Sequence, residues 1–480
     1  MKLSIERGPF EPTWESLRTY QCPDWFRDAK LGIWSHWGPQ SVPMVGDWYA
    51  RNIYIEGHEH YRHHWRVYGH PSKVGYKDIV KLWKAEKFDP EGLMELYVAA
   101  GAKYFVAQAV HHDNFDNWDS THNKWNAVNM GPKKNIVGLW QEAARKHGLP
   151  FGLSEHLGAT FSWFSVNKGM DKQGPYAGVP YDGSDPDYED FYLPNQQEYQ
   201  LKMGPWYTEN PWWHKHWFLR IKDLIDQHQP DLLYSDGGLP FDIYGLHIVA
   251  HLYNSSAKRH RRQNQAVYTH KDRNPSVAAI GVLDIERGVE PDIIPYPWQT
   301  DTCVGSWFYN VRATYKTPKQ VIEMLVDIVS KNGNLLLNIP QRPDGTLDDE
   351  CRYILDRMAR WIKVNGEGIY GTRSWKVSGE GPTTIEGGAF KEREMAWTTQ
   401  DFRFTTKGNK VYVFLMSWPE DRKVLVRSLA LDQTKRIVAV KLLGRDEMLS
   451  FEQGNYGLFV QLPPEKTTEY AQCLSVELAD

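Results

Sequence analysis

Five short apolar runs in this 480-residue chain end in side chains that titrate. "LGIWSH" ends at His36, followed by Trp37. "YFVAQAV" runs into His111, His112 and Asp113. "PFGLSEH" ends in Glu155 and His156. "PDLLYSDGGLP" carries the lone Asp236 ahead of Gly237-Gly238, and "GVLDIER" ends in Glu286 and Arg287. A buried acid is costly unless it is paired or used. Carboxylates, imidazoles, an arginine and aromatics occur here without a serine or cysteine placed beside a base. That set suits glycoside hydrolysis, in which one carboxylate attacks or activates water, a second donates a proton, and neutral polar groups hold hydroxyls.

Other chemistries fit less well. "HEHYRHH", His58 to His64, is dense in histidine but has no HExxH spacing and follows "WYARNIY" in a loop-like stretch. His111 and His112 are adjacent, and neighbours on a strand point to opposite faces, so one ion would not easily take both. No metal and no cofactor is expected. "SDGGLP" and "SGEGPTTIEGG" are glycine-rich, but neither matches a phosphate-loop or dinucleotide fingerprint. Cys22, Cys303, Cys351 and Cys473 lie far apart with no CxxC, so neither a zinc ribbon nor a disulfide scaffold is implied. A net charge of −4 argues against a nucleic-acid partner. No apolar run reaches the length of about 18 residues that a membrane span needs. "MKLSIERGPF" holds no apolar run of about 7–15 residues and so no signal peptide. A periplasmic or secreted location is expected, with any signal peptide already removed. The 21 Trp, 26 Tyr and 18 Phe exceed what a core of this size demands, so some are expected to stack on sugar rings.

The elements that must position these residues alternate. Seven strands are predicted at residues 30–36, 103–110, 150–156, 231–236, 265–270, 278–286 and 334–340, several of them continuous apolar runs of the kind buried on both faces. Between them lie helices with marked ends: Asp89 as an N-cap with Pro90 after it, Gly148 after "NIVGLWQEAARKH", and Thr317-Pro318 opening "TPKQVIEMLVDIVS". Alternation over this length predicts an α/β fold, a (β/α)8-like barrel spanning residues 1–364, whose site lies at the C-terminal strand ends. Residues 365–480 read instead as short strands separated by turns, a C-terminal antiparallel β-sandwich. The segment 161–214, rich in Gly, Pro, Asp and aromatics, fits neither pattern and is expected to form a lid or site wall.

With these residues in place, the chain resembles the α-L-fucosidases of glycoside hydrolase family 29 over most of residues 14–375. The resemblance rests on "WFRDAKLGIWSHWG", "GDWYARNIY", "AGAKYFVAQAVHHDNFDNWDS", "PDLLYSDGG", "DIERG", "NGNLLLNIPQRPDGTLDD" and "NGEGIYGTRSW". It implies a retaining enzyme that needs no metal and removes terminal α-L-fucose from an oligosaccharide or glycoconjugate. It makes Asp236 the nucleophile and places Arg287 near it. It gives His36, His111 and His112 to sugar hydroxyls, and matches Asp47, Trp48, Tyr49 and Arg51 to the family's acid-Trp-Tyr-x-Arg loop. Trp48, Tyr234 and Trp307 or Phe308 are expected around the ring and its methyl group. His156 and Trp298 complete the expected substrate-facing set. Oligomeric state is not legible.

Three positions depart from the family pattern. Asp47 stands where many members have Glu, and Tyr234 where many have Trp. Gln299, in "PWQTDTC", stands where many carry the general acid/base, and an amide cannot serve as a general acid. One reading relocates the acid/base to another carboxylate: Glu286 first, then Asp301, with Glu290 and Glu155 as further candidates. The others are a non-catalytic sugar binder and a hydrolase of a related sugar such as an α-L-galactoside.

Overall fold

The computed structural model describes residues 3–194 and 206–479. Eight parallel strands close into a barrel in chain order: β1 (Leu31–Ser35), β2 (Tyr104–Val110), β3 (Phe151–Glu155), β4 (Leu232–Ser235), β5 (Val267–His270), β6 (Val282–Asp284), β7 (Trp298–Cys303) and β8 (Gly333–Asn338). β8 returns to β1 with Leu335 opposite Leu31, which closes the ring. All residues of these strands are buried, as strands covered by helices outside and side chains inside must be. The covering helices start where their sequences say. Asp89 caps Pro90–Ala99 by accepting from Gly92 N at 3.0 Å. Thr317 and Gln320 exchange a capping box at the head of Pro318–Ser330.

The apolar runs account for seven strands but not for β7, whose sequence "WQTDTC" is polar. Alternation explains it. Gln299 and Asp301 face the barrel interior, where polar partners meet them. Gln299 accepts from the Tyr104 hydroxyl (2.7 Å) and donates to Asp284 Oδ2 (2.6 Å), and Asp301 Oδ2 accepts from the Tyr234 hydroxyl (2.8 Å). Tyr104 can cross the barrel because Gly32 leaves room. A Cβ there would lie 2.3 Å from the ring.

The C-terminal unit contains a five-stranded and a three-stranded antiparallel sheet. The first holds β9 (Arg373–Glu380), β10 (Phe402–Lys407), β11 (Lys410–Leu415), β13 (Ile437–Leu442) and β16 (Gln472–Leu478). The second holds β12 (Lys423–Val426), β14 (Phe451–Gly454) and β15 (Gly457–Gln461). Phe402, Phe404, Val413 and Val476 of one sheet share a core with Val424, Val426, Leu458 and Val460 of the other. The sandwich leans on the barrel through Asp327, in the helix Pro318–Ser330. Asp327 pairs with Arg403 of β10 at 2.6 Å and with Lys331 at 2.7 Å.

Of the segment 161–214, residues 195–205 lie outside those described. The rest folds into short helical turns, among them Thr160–Trp163 and Phe164–Lys168, before the long helix Pro211–His228. Many of the aromatics serve the core: Trp83, Trp140, Trp217 and Trp361 are wholly buried. Among the described residues, no helix is long and apolar enough to cross a membrane.

Candidate active site

Asp236 is the residue after β4, and its carboxylate is the hub of the site. The strand hands it upward, and the chain turns away at once through Gly237, whose φ of +100° suits glycine. The Tyr207 hydroxyl pins that turn, 3.1 Å from Asp236 O and 3.0 Å from Gly238 O. Lys271, the residue after β5, donates to Asp236 Oδ1 at 2.7 Å and to Glu286 Oε2 at 2.6 Å. It also lies 3.6 Å from Asp301 Oδ2. The sum of the two hydrogen-bond lengths, 5.3 Å, is an upper limit on the separation of Asp236 Oδ1 from Glu286 Oε2. The Tyr234 hydroxyl, bonded to Asp301, stands 3.4 Å from Asp236 Oδ1. Three acids, two beyond the ends of β4 and β6 and one within β7, thus crowd one ammonium, and two of them also meet one phenol.

The environments of these acids differ. Burial alone would raise the Asp236 carboxyl, but the Lys271 charge, then His156 and His112, outweigh it and hold it well below the usual carboxylate range. Burial raises Glu286, the charges of Asp301 and Asp236 add to the rise, and Lys271 opposes it. Lys271 is held well above its ordinary value, because Asp236, Asp301 and Glu286 more than offset its burial. One carboxyl is therefore kept ionised while its neighbour is pushed toward the protonated form, the division of labour a two-carboxylate site requires. Glu286 is 23 % exposed, whereas Asp301 is 1 % exposed.

Four imidazoles line the opposite wall. His36 follows β1, His111 and His112 follow β2, and His156 follows β3. His111 and His112 stand beyond the end of β2, so strand alternation does not separate them. Their ring centroids are 4.6 Å apart and both line the same cavity. His112 Nδ1 donates to His156 O at 2.7 Å, which turns Nε2 toward Asp236 Oδ2 at 3.4 Å. Gln40 Oε1 accepts from Ala50 N (3.2 Å), so its amide nitrogen donates to His111 Nδ1 (2.8 Å). The proton of His111 then sits on Nε2, 3.8 Å from Asp47 Oδ1. Burial first, and neighbouring imidazoles after it, hold His36 and His111 well below their ordinary value, while burial lowers His156 to about 3. These are neutral rings that donate and accept, the chemistry that hydroxyls need. Burial pushes the Asp47 carboxyl up to about 7. Ring nitrogens of His36, His111 and His156 come within 4.8 Å of one another, so these three could hold a cation, a grouping that no spacing in the sequence announces.

The cavity these residues bound measures ≈ 570 Å³, in the range of small-ligand sites. Trp34, Trp48, Trp163 and Trp307 add aromatic walls. Trp48 and Trp163 meet edge to face at 5.8 Å. Trp163, Trp206 and Tyr207, all from the expected lid segment, line it.

Several expected residues lie elsewhere. Trp298 faces outward from β7, fully buried, its Nε1 donating to Lys331 O at 2.9 Å, so it belongs to the core and not to a sugar site. Arg287 turns away from its neighbour Glu286 to pair with Glu392 at 2.5 Å. Phe308 supports from behind, edge-on to His36 at 4.7 Å. Glu155 is bound by Ser235 Oγ (2.7 Å) and Leu157 N (2.9 Å) behind the strand ends, and Glu290 pairs with Arg273 (3.0 Å). Asp113 is bonded by the Tyr76 hydroxyl at 2.5 Å. Gln299 lies inside the barrel and does not line the cavity, so its identity does not decide which group is the acid. Sequence reasoning missed Lys271, Gln40 and Phe390. For Lys271 the only signal was its place one residue past a predicted strand.

Two family models match the chain: Alpha-L-fucosidase over residues 1–367, and Alpha-L-fucosidase C-terminal domain over residues 396–477. The plasma alpha-L-fucosidase of Homo sapiens is 30 % identical over 478 residues, covering 95 % of this chain and 88 % of that protein. The tissue alpha-L-fucosidase of Rattus norvegicus is 29 % identical over 467 residues, with 95 % and 88 % covered. Among solved structures, a Thermotoga maritima alpha-fucosidase in complex with a mechanism-based inhibitor superposes with a TM-score of 0.76 at 26 % identity, covering 98 % of this chain and 100 % of that one. The Thermotoga maritima enzyme in complex with fucose gives 0.74 at 26 % identity, with 97 % and 99 % covered.

Proposed function

The chain belongs to the α-L-fucosidase family and is a glycoside hydrolase that removes fucose, and from that premise we propose that Asp236 and Glu286 carry a retaining double displacement on terminal α-L-fucosides. The observation that supports it is the shared ammonium of Lys271, which keeps the two carboxylate oxygens within 5.3 Å. Retaining enzymes hold their carboxyl groups about 5–5.5 Å apart, and inverting enzymes hold them wider to admit a water. Asp236, ionised, attacks the anomeric carbon while Glu286 gives its proton to the departing oxygen. Glu286, now a carboxylate, takes a proton from water, which attacks the same carbon and frees Asp236. His36, His111, His112 and His156 with Asp47 hold ring hydroxyls. Tyr234, Trp48 and Trp307 pack around the ring. The catalytic unit is taken as residues 1–364 and the sandwich as residues 365–480. The substrate is a fucosylated oligosaccharide or glycoconjugate.

Proton NMR of the first turnovers tests this reading. The α-anomer of free L-fucose should appear first, and β-anomer first would exclude a retaining reaction. The same assay on an α-L-galactoside, which adds one hydroxyl to the C6 methyl, gives the sugar preference. Such an addition is rejected only modestly by an apolar wall.

Lys271 gives the proposal a pH signature. Its charge lowers both acids, so Lys271→Met raises both. The acid limb of kcat/KM, where Asp236 must be ionised, then moves to higher pH. The alkaline limb, where Glu286 must be protonated, moves the same way. The whole bell should shift up by about one unit or more. A lower rate with an unmoved bell would mean that Lys271 only fills space.

A further inference from the structure

The connection between β9 and β10 leaves the sandwich and reaches the mouth of the active site. It is stapled there at four points. Val289 and Gly388 exchange backbone hydrogen bonds of 3.3 and 2.8 Å, Phe390 N donates to Glu286 O at 2.9 Å, and Glu392 N donates to Arg287 O at 3.0 Å. The Glu392 carboxylate then pairs with Arg287 (2.5 Å) and Lys316 (3.1 Å) and accepts from Thr302 Oγ1 at 2.6 Å. Glu392 is 5 % exposed, so this end of the connection is buried and fixed.

Against that rigid background Phe390 is anomalous. It is 64 % exposed and has a φ of +57°, yet it lines the catalytic cavity. A bulky residue in the left-handed region is strained, and an apolar ring in water gains nothing for the fold. Both costs fall on one residue whose backbone is bonded to the backbone of Glu286. Glu286 protonates the oxygen that leaves, so the first sugar of the leaving group must lie on its side of the cavity. An aromatic face held at that place meets the C–H face of a pyranose.

We propose that Phe390 is a platform for the sugar to which the fucose is attached, so that the sandwich domain supplies part of the leaving-group specificity. This rests on the assignment of Glu286 above. The ligand class is a pyranose ring directly beyond the scissile bond, as in a fucosyl-galactose disaccharide.

The test compares two substrates with equally poor leaving groups, a fucosyl-galactose disaccharide and methyl α-L-fucoside. Only the first has a ring to stack. In Phe390→Ala the ratio of their kcat/KM values should fall about tenfold, as expected for one lost aromatic contact, mostly through KM of the disaccharide. Phe390→Tyr should restore it. An unchanged ratio overturns the platform. Equal losses on both substrates mean that the segment only holds Glu286 in place, and no loss on either means that the ring is idle. Either result leaves the catalytic reading intact. If the unsubstituted enzyme turned over neither substrate, the Glu286 assignment and the platform built on it would both fall.

Discussion

Asp236→Ala abolishes turnover of α-L-fucosides, with a loss on the order of 10⁴-fold or more in kcat, because no other group can replace the attacking carboxylate. Glu286 and Asp301 remain near Lys271 in this variant, but neither stands at the tip of β4 between Tyr234 and His112. The vacated space gives the result a positive readout. Azide added to Asp236→Ala with an activated aryl fucoside should enter where the carboxylate stood and give the β-fucosyl azide, inverted at the anomeric carbon. The fold should survive, since the Asp236 side chain bonds Lys271 and faces His112 and Tyr234 but anchors no strand. Its backbone N–H still donates to Glu155 O (3.0 Å), and Tyr207 still holds the turn. Retention of even a few per cent of wild-type rate, with no azide product, would mean that another residue attacks.

Asp236 was legible in the sequence for a physical reason. An apolar strand that ends in one acid and breaks at two glycines has no structural need for that acid, and barrel topology places it among the other strand ends. The four histidines were readable by the same rule. β7 was not, because a strand inside a closed barrel can be polar when facing strands supply partners. "WQTDTC" satisfies Gln299 through Tyr104 and Asp284, and Asp301 through Tyr234, all distant in sequence. With no strand recognised there, Trp298 was given to the site, and the family resemblance made Gln299 look like a missing acid.

Lys271 and Phe390 fall outside what one-dimensional pattern can give. "HKDRN" reads as a solvated turn, and only closure of the barrel brings its lysine to within 2.7 Å of Asp236, 35 residues earlier. Phe390 lies in the sandwich portion of the sequence, more than a hundred residues after Glu286, and its exposure at the cavity mouth is a property of domain docking. Arg287 shows the converse error. Its place at a predicted strand tip and the family resemblance put it near the nucleophile, but Arg287, at a positive φ of 43°, pairs with Glu392 instead.

Glu286→Gln separates the two candidate acids. A general acid matters in proportion to how poor the leaving group is. The variant should therefore lose about 10³-fold on a fucosyl disaccharide, within the usual range for a positioned proton donor. With a dinitrophenyl fucoside the first step should proceed almost unimpaired, and the second should stall for want of a base. Azide needs no base, so it should relieve that stall and give the α-fucosyl azide, with overall retention. Asp301→Asn should behave differently. Asp301 borders the cavity but is 1 % exposed against 23 % for Glu286, and its Oδ2 already accepts from the Tyr234 hydroxyl, so it is expected to reach neither a departing oxygen nor an incoming water. Its loss should disturb Lys271 and Tyr234 and lower the rate on every substrate alike, with no dependence on the leaving group and no azide rescue. If the leaving-group dependence and the retained azide product appeared in Asp301→Asn, and not in Glu286→Gln, the acid/base role would pass to Asp301. Glu286 would then be only the outer anchor of the Lys271 bridge. Exposure favours Glu286: both acids crowd the same ammonium, but a proton donor must also touch the group that leaves.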